Sequence, residues 1–98
     1  MKRERAIEKI KKATNAVHAR GVSALYLFGS TARDEAGETS DVDVFIDYDR
    51  SKKFSLLDLA AVKLILEKEL EAHVDILTRN GIDPLIKDGV ISEAVRVL

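Results

Sequence analysis

Asp41-Val42-Asp43-Val44-Phe45-Ile46-Asp47 alternates with period two, so Asp41, Asp43, Phe45 and Asp47 share one face of a strand and Val42, Val44 and Ile46 the other. The aliphatic back predicts that one side lies on a core. Working outward, Ser23–Phe28 upstream is a short apolar run that reads as a buried strand entering Gly29, and Gly29–Ser40 reads as one helical turn near Thr31–Asp34 followed by a loop. Downstream, Tyr48–Phe54 is a polar linker. Ser55 with Asp58 three residues on resembles a helix start, with Asp in place of the usual Glu or Gln. The helix Leu56–Glu71 then carries two apolar stripes, Leu59, Val62, Leu66 and Leu70 on one side and Leu57, Ala61, Leu64 and Ile65 on another. The second stripe is available to another helix or to a partner.

His73–Leu77 reads as a third short strand, with Asp75 opposite Val74 and Ile76. At the amino end, Ile7, Ile10, Thr14 and Val17 recur at helical spacing from Lys2 to Arg20, and Gly21 stops that helix. At the carboxyl end, Asn80-Gly81 marks a turn and Asp83-Pro84 a helix start. Ile91, Ala94, Val95 and Leu98 form a closing helical stripe. The order α, β, short α, β, α, β, α predicts an α+β (α/β sandwich) domain spanning 1–98, with a mixed sheet of about three strands, helices on one face and the acidic face open.

The 98 residues suit one small domain, and a hydrophobic fraction of 46% with one proline supplies enough apolar surface to fold. A net charge of −1 excludes a global field that would favour nucleic acid or an anionic membrane, so neither direct nucleic-acid binding nor membrane binding is expected. The absence of cysteine rules out disulfides and thiolate metal sites and suits a reducing cytoplasm. No apolar run reaches the length of a membrane span, and the charged start does not read as a targeting segment.

Asp41 and Asp43 lie about 6 to 7 Å apart along one strand face, and a neighbouring strand about 4.8 Å away brings Asp75 beside them if register permits. Three carboxylates so placed repel one another unless a divalent cation resolves the conflict. An oxygen-only donor set suits Mg2+ or Mn2+, and two such ions would offset the charge of a nucleoside triphosphate. The second element is Phe28-Gly29-Ser30 at a strand end, where glycine lets the backbone approach a phosphate and serine adds a hydroxyl. Arg33 could reach the same phosphates with its planar fork. Gly-Ser alone, or Asp-x-Asp alone, is more often a structural or surface feature. Their combination, with a third-strand Asp after a single helix, points to chemistry.

Gly29-Ser30, ten residues, then Asp41-Val42-Asp43 resembles the signature of the DNA polymerase beta nucleotidyltransferase superfamily. The short chain is similar to its minimal nucleotidyltransferase (MNT) branch. The likeness runs from Leu25–Phe28 through Ser40–Val44 and His73–Leu77 to Ile91-Ser92-Glu93-Ala94-Val95. It implies that Gly29 and Ser30 hold the triphosphate of ATP, that Asp41 and Asp43 hold two Mg2+ ions, and that Asp75 completes one metal's shell and helps activate the attacking hydroxyl. It also implies an antitoxin role beside a HEPN-domain toxin, with AMP transferred to a tyrosine of that toxin. The family's turn commonly reads Gly-Ser-x-Ala-Arg-Gly, whereas Asp34 stands at the last position here and adds a negative charge.

His18 and His73 belong to no metal-ligand spacing and receive no role, and the basic start, interleaved with Glu4 and Glu8, reads as a solvated helix face. Asp47 and Asp49 read as acidic surface. Tyr26 and Tyr48 read as packing and loop residues, with Tyr48 placed to stack on a base. Two other functions stay open: an antitoxin that acts by binding alone, and nucleotidyl transfer to a small molecule or RNA. Whether the chain works alone, as a homodimer or in a hetero-oligomer is also open.

Overall fold

A computed structural model describes residues 1–37 and 41–98; the end of the expected Gly29–Ser40 loop, with Ser40 at the start of the matched stretch Ser40–Val44, lies outside the described residues. Along the chain run α1 (Arg3–Lys12), α2 (Thr14–Ala19), β1 (Val22–Phe28), α3 (Gly29–Ala32), β2 (Val42–Tyr48), α4 (Leu56–Leu70), β3 (Val74–Thr78), a 3-10 turn (Arg79–Gly81), α5 (Lys87–Glu93) and β4 (Val95–Arg96). Among the described residues they form one mixed sheet in the order β3-β2-β1-β4. Here β1 is antiparallel to both β2 and β4, and β2 is parallel to β3. The parallel pair requires a crossover, which α4 supplies.

The aliphatic back of β2 is buried as its alternation predicts: Val42, Val44 and Ile46 join Leu25, Leu27 and Val74 against Ala6, Ile10, Val17, Val62, Leu66 and Leu70. Each such valine, leucine or isoleucine side chain removed from water is worth about 1.5–3 kcal/mol, which is what holds α1, α2 and α4 on this face. The expected start of α4 is present as a reciprocal pair: the Asp58 amide donates to Ser55 Oγ at 3.3 Å and the Ser55 amide to Asp58 Oδ2 at 3.0 Å. Its second stripe divides: Leu57 and Leu64 are 82% and 66% exposed, whereas Ala61 and Ile65 are half-buried.

The single amino-terminal helix expected over Lys2–Arg20 is two helices. Thr14 Oγ1 donates to the Lys11 carbonyl at 2.6 Å and the Ala13 amide to the Ile10 carbonyl at 2.9 Å, so the chain tightens by a residue at Ala13. The buried stripe is therefore Ala6, Ile10, Ala13 and Val17, with Thr14 half-buried. Gly21, at φ +100°, ends α2 in a conformation that costs a side chain energy.

The carboxyl end also departs from expectation. Ala94 turns extended at ψ 144°, and Val95 and Arg96 pair with Leu27 and Tyr26 as a fourth strand instead of continuing a helix. The Val97 amide donates to the Leu25 carbonyl at 2.8 Å, closing an edge of β1 that would otherwise be open. The front of the sheet is not wholly open either, because Ile82, Val90, Ile91 and Ala94 cover Phe45, Tyr26 and Phe28 in a second small core. What stays uncovered is the end of that face at Asp41, Asp43 and Asp75.

Candidate active site

Parallel pairing sets Val42 opposite Val74 and Asp43 opposite Asp75, so the two carboxylates stand on the same face of adjacent strands. Asp41, exposed just ahead of β2, adds its charge from upstream. Burial pushes the Asp43 carboxyl up to about 6, and the negative charge of Asp75, a hydrogen bond shared with Asp75 and the charge of Asp41 push in the same direction. The net field at Asp43 is therefore anionic and asks for a cation. Among the described residues no three carboxylates or imidazoles already stand as a closed ligand set. The preformed element is the Asp43–Asp75 pair, with Asp41 at its exposed margin. This oxygen-only, mutually repelling set fits a hard divalent cation better than zinc.

The turn after β1 abuts that pair. Phe28 pairs with Asp43, and Gly29 then takes φ +73°, where an added Cβ would run into the Asp43 carboxylate. Glycine is required twice over at this position, by conformation and by space. Thr31 and Ala32 bury the inner side of α3, which seats the turn, while Ser30 is half-buried.

Glu93, at the end of α5, is a residue that sequence reasoning did not single out. Its carboxylate accepts the Gly29 amide at 3.2 Å and Arg33 Nη1 at 3.0 and 3.2 Å, while Arg33 Nε donates to Glu35 at 3.1 Å. Arg33 thus stands beside the turn with its guanidinium already engaged, and the bonds to Glu35 and then Glu93 raise its pKa. Glu93 lies 64 residues from Gly29, so no local spacing signals the contact.

Asp34 is explained by its backbone. It sits at φ +60°, a conformation glycine adopts freely and Asp tolerates better than most residues. Its Oδ1 accepts the Arg3 amide at 3.1 Å, so the charge stabilises the start of α1.

Other expectations on this face are corrected. Asp47 is not loose acidic surface: Arg79 Nε and Nη2 donate to its two oxygens at 2.8 and 2.9 Å, holding its pKa below the ordinary value. Arg79 also lies 5.1 Å from the Tyr26 and Phe45 ring centroids, which themselves stack at 4.7 Å. Asp49 accepts Ser51 Oγ at 2.6 Å and the Ser51 amide at 2.9 Å. Tyr48 pairs with Val22 at the far end of β2 from Asp43 and stacks on Phe54 at 4.8 Å, so it cannot stack on a base at the acids. His18 Nδ1 is 2.7 Å from the Val22 carbonyl, which can only accept, and His73 lies 3.5 Å from Glu67.

A groove of about 540 Å³ opens beside the acids, lined by Phe28, Asp43, Asp75, Ile76 and Leu77 from the sheet and by Leu56, Leu59, Ala60 and Lys63 from α4. Its α4 wall lies partly outside both stripes read from the sequence. The site therefore combines a carboxylate pair, a tight turn fitted against it and a mostly apolar recess. No helix among the described residues is long and apolar enough to cross a membrane.

The sequence profile of the nucleotidyltransferase domain family matches residues 7–97. An inferred protein adenylyltransferase of Methanocaldococcus jannaschii, MJ0435, is 49% identical over 78 residues, spanning 80% of this chain and 82% of that protein. A solved structure assigned as a minimal nucleotidyltransferase superposes with a TM-score of 0.74 at 33% identity, covering 97% of this chain and 95% of its own. A toxin–antitoxin crystal structure with AMP-PNP superposes with a TM-score of 0.73, covering 94% of this chain and 72% of its own; at 17% identity it shares the fold. With the profile spanning nearly the whole sequence and the paired carboxylates beside the Gly29 turn, the chain belongs to the nucleotidyltransferase domain family and is a nucleotidyltransferase of its minimal type.

Proposed function

We propose that this chain transfers AMP from ATP to a tyrosine of a HEPN-domain toxin and thereby acts as its antitoxin, in the cytoplasm, with residues 1–98 working as one domain. The observation that carries the reading is the register of Asp43 with Asp75 beside Gly29, which sets a carboxylate pair next to a tight glycine turn. Similarity to MJ0435, and to a fold found in a toxin–antitoxin complex with AMP-PNP, supports ATP and a toxin partner. Asp41, Asp43 and Asp75 would hold two Mg2+ ions, with Mn2+ as a substitute. Bound there, the metals would offset triphosphate charge and favour the ionised form of the attacking hydroxyl.

The chain's own residues do the rest. Gly29 and Ser30 seat the phosphates, with Arg33 at the edge of the turn. Asp75 orients the acceptor hydroxyl and draws on its proton. With α-32P-labelled ATP, Mg2+ and the partner toxin, label should appear on a toxin tyrosine. Asp41→Asn and Asp43→Asn should each remove it, and persistent label in both variants overturns the mechanism.

A second reading, neutralisation by binding alone, is favoured by the exposure of Leu57 and Leu64 and by the engagement of the Gly29 amide and Arg33 with Glu93. Under it, a folded, toxin-bound Asp43→Asn variant still protects growing cells. Under the leading reading it does not.

A further inference from the structure

We propose that Glu93 is a positioning residue: by holding the Arg33 guanidinium beside the turn after β1, it keeps that cation from closing on Asp43 and leaves the Asp43–Asp75 pair open to a divalent ion. This rests on the nucleotidyl-transfer reading above and adds a residue that acts on the acids only through Arg33.

Elsewhere on the same strand face an arginine has closed an acid off. Arg79 Nε and Nη2 donate to the two oxygens of Asp47 at 2.8 and 2.9 Å. Asp43 has a cation within reach as well, because the charge of Arg33 is felt at its carboxyl and opposes the upward push of its acidic neighbours. The backbone keeps the two close: the Arg33 amide donates to the Gly29 carbonyl at 3.1 Å, and a Cβ at Gly29 would run into the Asp43 carboxylate. A guanidinium on several rotatable bonds beside a half-buried acid is drawn to it, since a charge-assisted bond gains strength as water is excluded. Arg33 instead gives Nη1 to both oxygens of Glu93 at 3.0 and 3.2 Å and Nε to Glu35 at 3.1 Å.

Glu93 is the last residue of α5, where the helix dipole disfavours an acid, so local structure gives no reason for a carboxylate there. Its side chain is 31% exposed against 66% for Glu35, which makes it the less water-screened of the two holds on Arg33. It also accepts the Gly29 amide at 3.2 Å, so one carboxylate fixes both the backbone of the turn and the arginine that follows it. The bond to Gly29 needs only an acceptor. The hold on Arg33 needs a charge, because it competes with the charge of Asp43. Gln at this position separates the two roles, since its side-chain carbonyl still accepts the Gly29 amide.

Two double-mutant cycles on the full chain, without nucleotide, test the restraint. In metal-free protein the melting-temperature changes of Arg33→Met and Asp43→Asn should nearly add in the wild-type background, as expected of side chains that do not touch. In the Glu93→Gln background they should cease to add, because the released arginine and Asp43 then share a bond that either change removes. With Mn2+ as the probe, Glu93→Gln should weaken binding about tenfold, and adding Arg33→Met should restore it to within about twofold of wild type. A merely structural Glu93 would give no such rescue. Glu93→Ala, which cannot hold Arg33 at all, repeats both cycles as a second variant. Additivity in every background, or Mn2+ affinity that Arg33→Met fails to restore, would overturn the proposal. The stability cycle needs neither metal nor nucleotide: if it comes out as expected while the wild-type protein binds no Mn2+, what falls is the metal-dependent transfer reading instead.

Discussion

Asp43 and Asp47 lie four residues apart on the same strand and the same face, yet their surroundings drive them in opposite directions. Asp47 is gripped by both donors of the Arg79 fork, and Arg79 in turn lies over Tyr26 and Phe45, so this acid is a tie between the sheet and the turn after β3. Asp43 faces Asp75 instead, and its carboxyl is pushed up to about 6 by burial first and by its acidic neighbours next. The cation near it, Arg33, is held by Glu93 and Glu35. One end of the face has its charge neutralised within the fold; the other sets one acid against another. That contrast separates an acid paired within the fold from one set against another acid, which their spacing does not.

The largest break in the comparison should come from Asp43→Asn. It should lower AMP transfer by about 100- to 1000-fold, the scale on which removing one transition-state electrostatic contact acts. The metal-free protein should be no less stable than wild type at pH 7, because a repulsive pair has been relieved. Rate measurement with labelled ATP and a thermal melt check the two halves separately. Asp47→Asn should do the reverse, sparing transfer and lowering the melting temperature.

Gly29→Ala should come next. The residue would have to hold φ +73° with its methyl pressed into the Asp43 carboxylate, at a cost of about 1–3 kcal/mol in folding stability. Denaturant unfolding would measure the loss, and transfer should fall with it because the turn or Asp43 must move. Arg79→Ala should cost about 1–2 kcal/mol, from a half-exposed ion pair and its ring contacts together, with transfer rates unchanged.

The smallest effect is on pH. Because the folded pKa of Asp43 lies above its ordinary 3.8, the folded protein binds more protons than the unfolded chain between that value and about 6. Metal-free stability should therefore fall by a few degrees of melting temperature as pH rises through this window, and Asp43→Asn should flatten the trend. The depressed pKa of Asp47 acts the other way, its contribution being present above 3.8 and lost at lower pH, so the two windows do not overlap. Excess Mg2+ at pH 7 should recover the melting temperature, since binding to the folded state alone stabilises it.

Much of this was legible in the chain. The alternation of Asp41–Asp47 announced β2 and its buried back, Val74 and Ile76 announced the side of β3 on which Asp75 lies, and Ser55 with Asp58 marked the start of α4. Each is a signal carried within a few neighbouring residues. The break at Ala13 hangs on one threonine hydroxyl competing for a carbonyl, which periodicity does not register. The strand at Val95–Arg96 escaped because Ile91 and Ala94 keep helical spacing up to the point where the unpaired edge of β1 captures the chain. Glu93 on Gly29, and Arg79 on Asp47, escaped because an acid or a base in a sequence does not name its partner.

By itself the sequence determined which residues face which way along each element, since side-chain direction follows from local backbone geometry and apolar burial enforces it. Only the tertiary structure decided which acids were to be paired and which left in conflict. That outcome depends on the register between strands and on distances of a few ångströms between residues far apart in the chain, where electrostatic energy changes sign with the neighbour.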